Sequence, residues 1–300
     1  MEPSGVLIVN KPQGVTSHDI VNKIRRLYST KRVGHTGTLD PLATGVLVVL
    51  IGRAAKAAEY LSADTKEYVA TLRLGLTTDT EDVTGTVLTE SNTIPCQEDV
   101  FSAVKSFEGE ILQIPPMYSA LKVDGQKLCD LARKGVTVER KARPITVFSI
   151  ECTPTETNTD YILKVKCSSG TYIRTLCADI GAKLGCGGVM ATLCRSEAGG
   201  FSIDGSVTLD ELEKLTEPER LALLKPTESL FEDIPDLKLP AFYEKLSRNG
   251  CEIYQSKIRT SFPLASRVRM YGADGSFYAI GEVKEYESGS AIKAIKLFDI

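Results

Sequence analysis

The chain opens on an unbroken apolar run at residues 5–10, with Val6, Leu7, Ile8 and Val9 in succession, which reads as a strand buried on both faces. Lys11-Pro12-Gln13-Gly14 then breaks the run as a turn. Thr16 and Ser17 offer caps to a helix whose apolar residues Ile20, Ile24, Leu27 and Tyr28 recur at i, i+4, i+7 and i+8. A glycine-bearing loop at 34–45 leads into a second fully apolar strand at 46–51. Residues 66–74 alternate instead: Tyr68, Ala70, Leu72 and Leu74 share one face, and Val69, Thr71 and Arg73 the other. Helical spacing returns at Val100, Val104 and Phe107 and again over about 172–184, with strands at 145–152, 161–167 and 189–195. Strands thus come in neighbouring groups separated by helices, without regular βαβ alternation. That order predicts an α+β fold, with a large mixed, mostly antiparallel sheet and flanking helices. The acidic stretch 209–236, ending in Pro226 and Pro235, reads as a helix plus linker. Beyond about 240, Asn249-Gly250, Asp274-Gly275 and short β-rich runs such as 277–283 predict a small barrel-like module.

Composition narrows the chemistry. With 42% hydrophobic and 25% charged residues in 300, the chain can bury a sizeable core. No run approaches the roughly 18 consecutive apolar residues of a membrane helix, and the start lacks a signal peptide's basic and apolar regions. A cytoplasmic chain without a membrane partner is the expectation. The only histidines are His18 and His35, which removes His-rich metal sites. Eight cysteines are spread with no C-x-x-C, which argues against structural zinc and thioredoxin-type chemistry. Neither a phosphate-binding G-x-x-x-x-G-K-[ST] loop nor a G-x-S-x-G elbow is present.

The net charge of −3 conceals an uneven distribution. Residues 1–60 carry eight basic and four acidic groups, and residues 117–146 seven against three, so each segment is +4. Residues 209–236 are −6 and residues 237–300 are +3. Separate basic stretches suit a phosphate-backbone partner, though mixed solvated faces would give the same count.

The 34–45 loop carries the most chemistry. It sets His35, Asp40 and Pro41 among Gly34, Gly37 and Gly45, between a helix and a buried strand. An aspartate before proline is biased toward extended backbone, and on its own Asp40 also reads as a turn cap. The full string G-H-T-G-T-L-D-P-L-A-T-G resembles the catalytic motif of the tRNA pseudouridine synthase B family. With four further blocks in the family's order, the resemblance runs through five. They include Asn10-Lys11-Pro12-Gln13-Gly14, then Lys66-Glu67-Tyr68 with Thr78-Asp79-Thr80 and Gly85. Next come Pro116-Met117-Tyr118-Ser119-Ala120-Leu121-Lys122 with Arg143-Pro144-Ile145, and finally residues 167–174, C-S-S-G-T-Y-I-R. The likeness covers roughly residues 4–230.

The resemblance implies a stand-alone enzyme that isomerises uridine to pseudouridine at position 55, in the TΨC stem-loop of tRNA. It implies no metal, no cofactor and no obligatory protein partner. It divides the chain into a catalytic domain, 1–235, and a PUA-like RNA-binding module, 236–300. Asp40 becomes the essential ionised carboxylate, acting at C1′, at C6 or on the 2′ proton. Arg174 becomes its fixed cation, because burying a lone carboxylate would raise its pKa. Tyr68 becomes the catalytic aromatic and a stacking platform for the flipped base; His35, Tyr172, Leu193 and Lys11 become substrate-binding, Lys11 mainly as a support for the loop. The insertion at about 117–146 becomes a basic, RNA-gripping flap, with Met117 and Tyr118 at its base. Its Lys122, Lys127, Arg133, Lys134, Arg140, Lys141 and Arg143 would meet phosphates. An RNA-binding folding factor is the rival reading, but a pure binder has no use for the Asp40, Arg174 and Tyr68 set. A glycosidase fails for want of a second carboxylate in comparable context.

Overall fold

The computed structural model describes residues 2–61, 65–119, 121–123 and 125–298. Ala120, part of one of the motif blocks, lies outside them. Strand β1 (Gly5–Lys11) runs antiparallel to β3 (Thr44–Ile51), with helix α1 (Ser17–Leu27) and the short β2 (Val33–His35) between them in sequence. Thr16 starts α1 through a reciprocal cap: its Oγ1 accepts from the Asp19 N–H at 3.1 Å, and Asp19 Oδ2 accepts from the Thr16 N–H at 2.9 Å. Ile20, Val21 and Ile24 then bury against Leu7, Val9, Leu47 and Val49. Each such side chain contributes about 1.5–3 kcal/mol.

A 3-10 helix (Gly52–Tyr60) leads to β4 (Lys66–Leu74), then to the β5 (Leu76–Thr78) and β6 (Val87–Glu90) hairpin. Helix α2 (Gln97–Lys105) stops before Phe107, which packs against the core from the following turn. Next come β7 (Gly109–Gln113), the two-residue strands β8 (Lys122–Val123) and β9 (Gln126–Lys127), and α3 (Leu128–Arg133). The long strands β10 (Arg143–Pro154) and β11 (Asp160–Cys167) precede α4 (Ile173–Leu184), β12 (Gly188–Ala198) and β13 (Phe201–Ser202). Among the described residues these make a nine-stranded sheet along the path β1-β3-β12-β4-β11-β10-β7, with β2 on β3 and β13 on β12. Every pairing is antiparallel except β12 with β3, so the sheet is mixed and mostly antiparallel, as expected.

On β4, Tyr68, Ala70, Leu72 and Leu74 enter the core and Arg73 stays outside, as the alternation predicts. Helix α4 lies against β12 so closely that a Cβ on Gly181 would sit 2.1 Å from the Gly188 nitrogen. Only glycine allows that approach.

The acidic stretch is more than a linker. It forms α5 (Leu209–Lys214) and α6 (Glu217–Ala222), and backbone on either side of these helices pairs with β1, Val207 just before the stretch with Val9 and Lys225 within it with Val6. Leu212 is fully buried beside α1, while the carboxylates face outward. The remainder comprises β14 (Asp236–Lys238), α7 (Ala241–Arg248), β15 (Ile253–Tyr254), α8 (Gln255–Ile258), β16 (Arg267–Tyr271), β17 (Phe277–Tyr286) and β18 (Gly289–Leu297). Its five strands form a separate sheet, ordered β14-β16-β17-β18-β15, around its own core of Leu239, Met270, Tyr278 and Val283. An apolar seam of Ala57, Phe231, Ile280 and Phe298 joins this part to the large sheet. No helix among the described residues is long and apolar enough to cross a membrane.

Candidate active site

Strands β2 and β3 pair up to His35–Val49, so the chain between them must leave the sheet and return as a loop, 36–43. The ends of the predicted 34–45 loop therefore belong to strands. Leu39 and Ala43 drive into the core, and between them the Asp40 side chain is left 40% exposed. The loop backbone is tied at several points. Ser17 Oγ accepts from the Leu39 N–H at 2.8 Å and donates to the Leu39 carbonyl at 3.0 Å. The Gly14 N–H donates to the Pro41 carbonyl at 2.8 Å, and Arg195 Nη2 donates to the Gly37 carbonyl at 3.0 Å. Gly45 closes the loop at φ +98°, where a Cβ would lie 2.3 Å from the Arg195 carbonyl oxygen; no other residue fits.

Arg174 enters from the first turn of α4, its side chain only 6% exposed. Its Nε lies 3.0 Å from Asp40 Oδ2, Nη1 donates to the Thr80 carbonyl at 3.1 Å, and Nη2 donates to the Tyr118 carbonyl at 2.7 Å. The buried Asp82 carboxylate stands 4.0 Å from Nη1. A planar, permanently charged fork is what satisfies so many fixed acceptors at once. Asp82 is itself held, accepting from Thr80 Oγ1 at 2.9 Å and from the Thr84 N–H and hydroxyl at 2.9 and 2.6 Å.

Asp40 and Arg174 border a cavity of about 300 Å³, lined also by Tyr68, Tyr172, Leu193, Ser119, Lys66 and Arg195. Asp40 and Arg174 also face a second hollow, with Gly14, Pro41, Thr80, Asp82, Tyr118 and Arg133 around it. Burial raises the Tyr68 hydroxyl pKa, with the neighbouring Arg195 pulling the other way. Tyr172 is raised by burial too, so both phenols stay neutral. Arg195 is fully buried, and its Nε donates to the Val46 carbonyl at 2.7 Å, which locks β12 to the start of β3. Among the described residues, no group of three or more His, Cys, Asp or Glu side chains is placed to share a metal ion.

Known proteins show the same arrangement of chain. Residues 25–173 match the N-terminal domain model of the TruB family pseudouridylate synthases. Residues 174–232 match the tRNA pseudouridylate synthase B C-terminal domain. The tRNA pseudouridine synthase B of Clostridium kluyveri is 41% identical over 295 residues, covering 98% of this chain and 99% of that one. The chain belongs to the TruB family.

The synthase B of Saccharophagus degradans is 42% identical over 293 residues, covering 94% of this chain and 92% of that one. A chain in the crystal structure of a Cbf5–Nop10–Gar1 complex superposes with a TM-score of 0.73 at 25% identity, over 98% of this chain and 84% of that one. In this TruB-family fold, Asp40, Tyr68, Tyr172, Arg174 and Leu193 converge on one cavity, although they come from four separate elements.

Two residues of the expected set lie outside the lining of this cavity. Lys11 is fully buried, its Nζ donating to the Pro12 and Val15 carbonyls at 2.9 and 2.8 Å, so it braces the turn before α1. Burial pushes its pKa down to about 8, with Asp40 opposing and Arg195 adding to the drop. His35 sits on β2 outside the cavity lining, and burial together with Arg195 lowers its pKa, keeping it neutral. Of the insertion's cations, Arg133 pairs with Asp130, Arg140 Nη1 donates to the Pro115 carbonyl at 3.1 Å, and Arg143 begins β10. Lys122 and Lys127 face each other across the small β8–β9 hairpin, and Lys134 and Lys141 are exposed.

Sequence reasoning missed Arg195, Lys66 and Ser119. Arg195 had a usable signal: it sits two residues after Leu193 on a strand, and therefore on the same face. Its register partner on β4 is Tyr68.

Proposed function

We propose that this TruB-family chain isomerises uridine 55 in the TΨC stem-loop of tRNA to pseudouridine, as a stand-alone cytoplasmic enzyme. The observation that carries the reading is the Asp40–Arg174 pair, 3.0 Å apart at the wall of a cavity also bordered by Tyr68. The names of its relatives, tRNA pseudouridine synthase B, support the substrate class.

The reaction breaks the N1–C1′ bond, rotates the uracil and joins C5 to C1′; C5 loses a proton and N1 gains one. No atom is added or lost overall. Asp40 supplies the carboxylate, and the guanidinium of Arg174 holds it in place through the 3.0 Å Nε–Oδ2 contact. The target base must leave its RNA stack, at a cost of a few kcal/mol. Stacking on Tyr68 offsets about 1–3 kcal/mol of that. Tyr172 and Leu193 shape the uracil pocket. The 117–146 insertion and a PUA-like module at 236–300, whose described strands form the separate sheet, grip the RNA around it.

The test is incubation of the purified protein with an unmodified tRNA transcript, followed by mapping of pseudouridine. Product at uridine 55 is expected. Asp40→Asn should give none while still binding the transcript in a filter assay. Turnover by Asp40→Asn, or product at another uridine, would overturn the assignment.

A further inference from the structure

We infer that Gln113 is a positioning residue for the active site, its side-chain amide setting the start of α4 and with it Tyr172 and Arg174. The inference rests on the uridine-isomerase reading of the site.

Gln113 is the last residue of β7, only 1% exposed, and its amide meets the main chain of Tyr172 at both ends. Oε1 accepts from the Tyr172 N–H at 2.8 Å, and Nε2 donates to the Tyr172 carbonyl at 3.0 Å. This is the pairing a neighbouring strand would provide, made here by one side chain. Tyr172 is the residue at which α4 begins, and its own side chain makes no capping hydrogen bond. Its carbonyl also accepts the first helical bond, from the Leu176 N–H at 3.0 Å, so both lone pairs are engaged. Just upstream, Gly170 turns the chain at φ +89°, a backbone with little intrinsic preference for one path. Bonds between Ser168 and Thr146 and between Thr171 and Ser168 anchor the turn itself, and the Gln113 clamp adds the tie at Tyr172, where the helix starts.

Both ends of the clamp matter to the chemistry. The Tyr172 ring borders the cavity, and Arg174, two residues on, holds Asp40. Gln113 is not among the residues lining the cavity; it acts through the backbone of Tyr172. Angular freedom at that point would displace the guanidinium relative to Asp40, and a misplacement of about 1 Å costs on the order of a hundredfold in rate.

The experiment compares Gln113→Leu and Gln113→Glu with wild type in steady-state turnover of an unmodified tRNA transcript, with folded protein quantified by near-UV circular dichroism. Gln113→Leu removes both bonds and should lower kcat by about ten- to a hundredfold, with KM for tRNA within about threefold of wild type. Gln113→Glu keeps the acceptor for the Tyr172 N–H and loses the amide donor, so its kcat should fall between the two. A merely structural role would lower the melting temperature and leave kcat per folded molecule unchanged; that result in either variant overturns the proposal. Should Gln113→Leu fail to fold, the same kcat-against-KM split in Gln113→Glu decides. Absence of product from wild type would sink the functional reading instead, so the two failures are separable.

Discussion

Loop 36–43 and the part of the 117–146 insertion that precedes β10, residues 117–142, both reach the site around Asp40, yet they are held by opposite means. The loop sinks Leu39 and Ala43 into the core, and its backbone is bonded to Gly14, Ser17, Val48 and Arg195. The insertion has two-residue strands and a six-residue helix, and of its apolar side chains Leu128 is the one fully buried among the described residues. Its ties cluster at its base, where Cys129 and Leu128 donate to the Ser119 and Leu121 carbonyls and Arg140 holds Pro115. A segment with few buried apolar contacts opens at low free-energy cost, whereas a loop anchored in the core does not. The division suits a reaction that needs its carboxylate fixed to fractions of an ångström and its RNA grip adaptable.

The comparison is open to challenge, and the largest effect is expected on the pinned side. Arg174→Lys keeps the charge but loses the fork that spans Asp40, Thr80 and Tyr118. We predict a fall in kcat of about a hundredfold with tRNA affinity retained; near-normal kcat would show that charge alone suffices. Arg174→Ala is a poorer probe, because it removes the charge and the fork together and cannot tell their contributions apart.

On the adaptable side, the prediction is a change in binding without a change in chemistry. Replacing Lys122, Lys127 and Lys134 together by Ala should raise KM for tRNA several-fold and leave kcat intact. It should also flatten the salt dependence of affinity by about 0.7–0.9 in slope per lost phosphate contact. A fall in kcat at unchanged KM would erase the division of labour between the two regions.

The smallest effect concerns the brace beneath the loop. Burial holds the Lys11 pKa at about 8, below its ordinary value of 10.5. The unfolded chain therefore binds the extra proton between those values, and folding stability from this group rises with pH across that window. Denaturant melts of wild type against Lys11→Met should show the difference moving in favour of wild type from about pH 8 to 10.5. A difference independent of pH there would mean the amine is not desolvated.

Much of the fold was legible in the residue pattern. The apolar runs at 5–10 and 46–51, the alternation of 66–74 and the helical spacing of α1 each report a local period that burial enforces. The failures were of another kind. The 209–236 stretch reads as a helix plus linker because it carries a net charge of −6 and ends in Pro226 and Pro235; the pairing of Lys225 with Val6 on β1 is long-range and leaves no local trace. His35 lies in the same motif as Asp40, and pairing with Val49 places it on β2, on the face of Val33 and outside the cavity lining.

What the sequence by itself determined, then, is the set of elements and the identity of the chemical groups, because periodicity, caps and motif residues act over a few positions. Tertiary structure alone decided that Asp40 and Arg174, 134 residues apart, stand 3.0 Å from each other. It decided likewise that Arg195 ties β12 to the catalytic loop and that Gln113 holds the start of α4. Such contacts follow from how strands and helices pack in three dimensions. A single side chain carries no mark of the distant backbone it will meet.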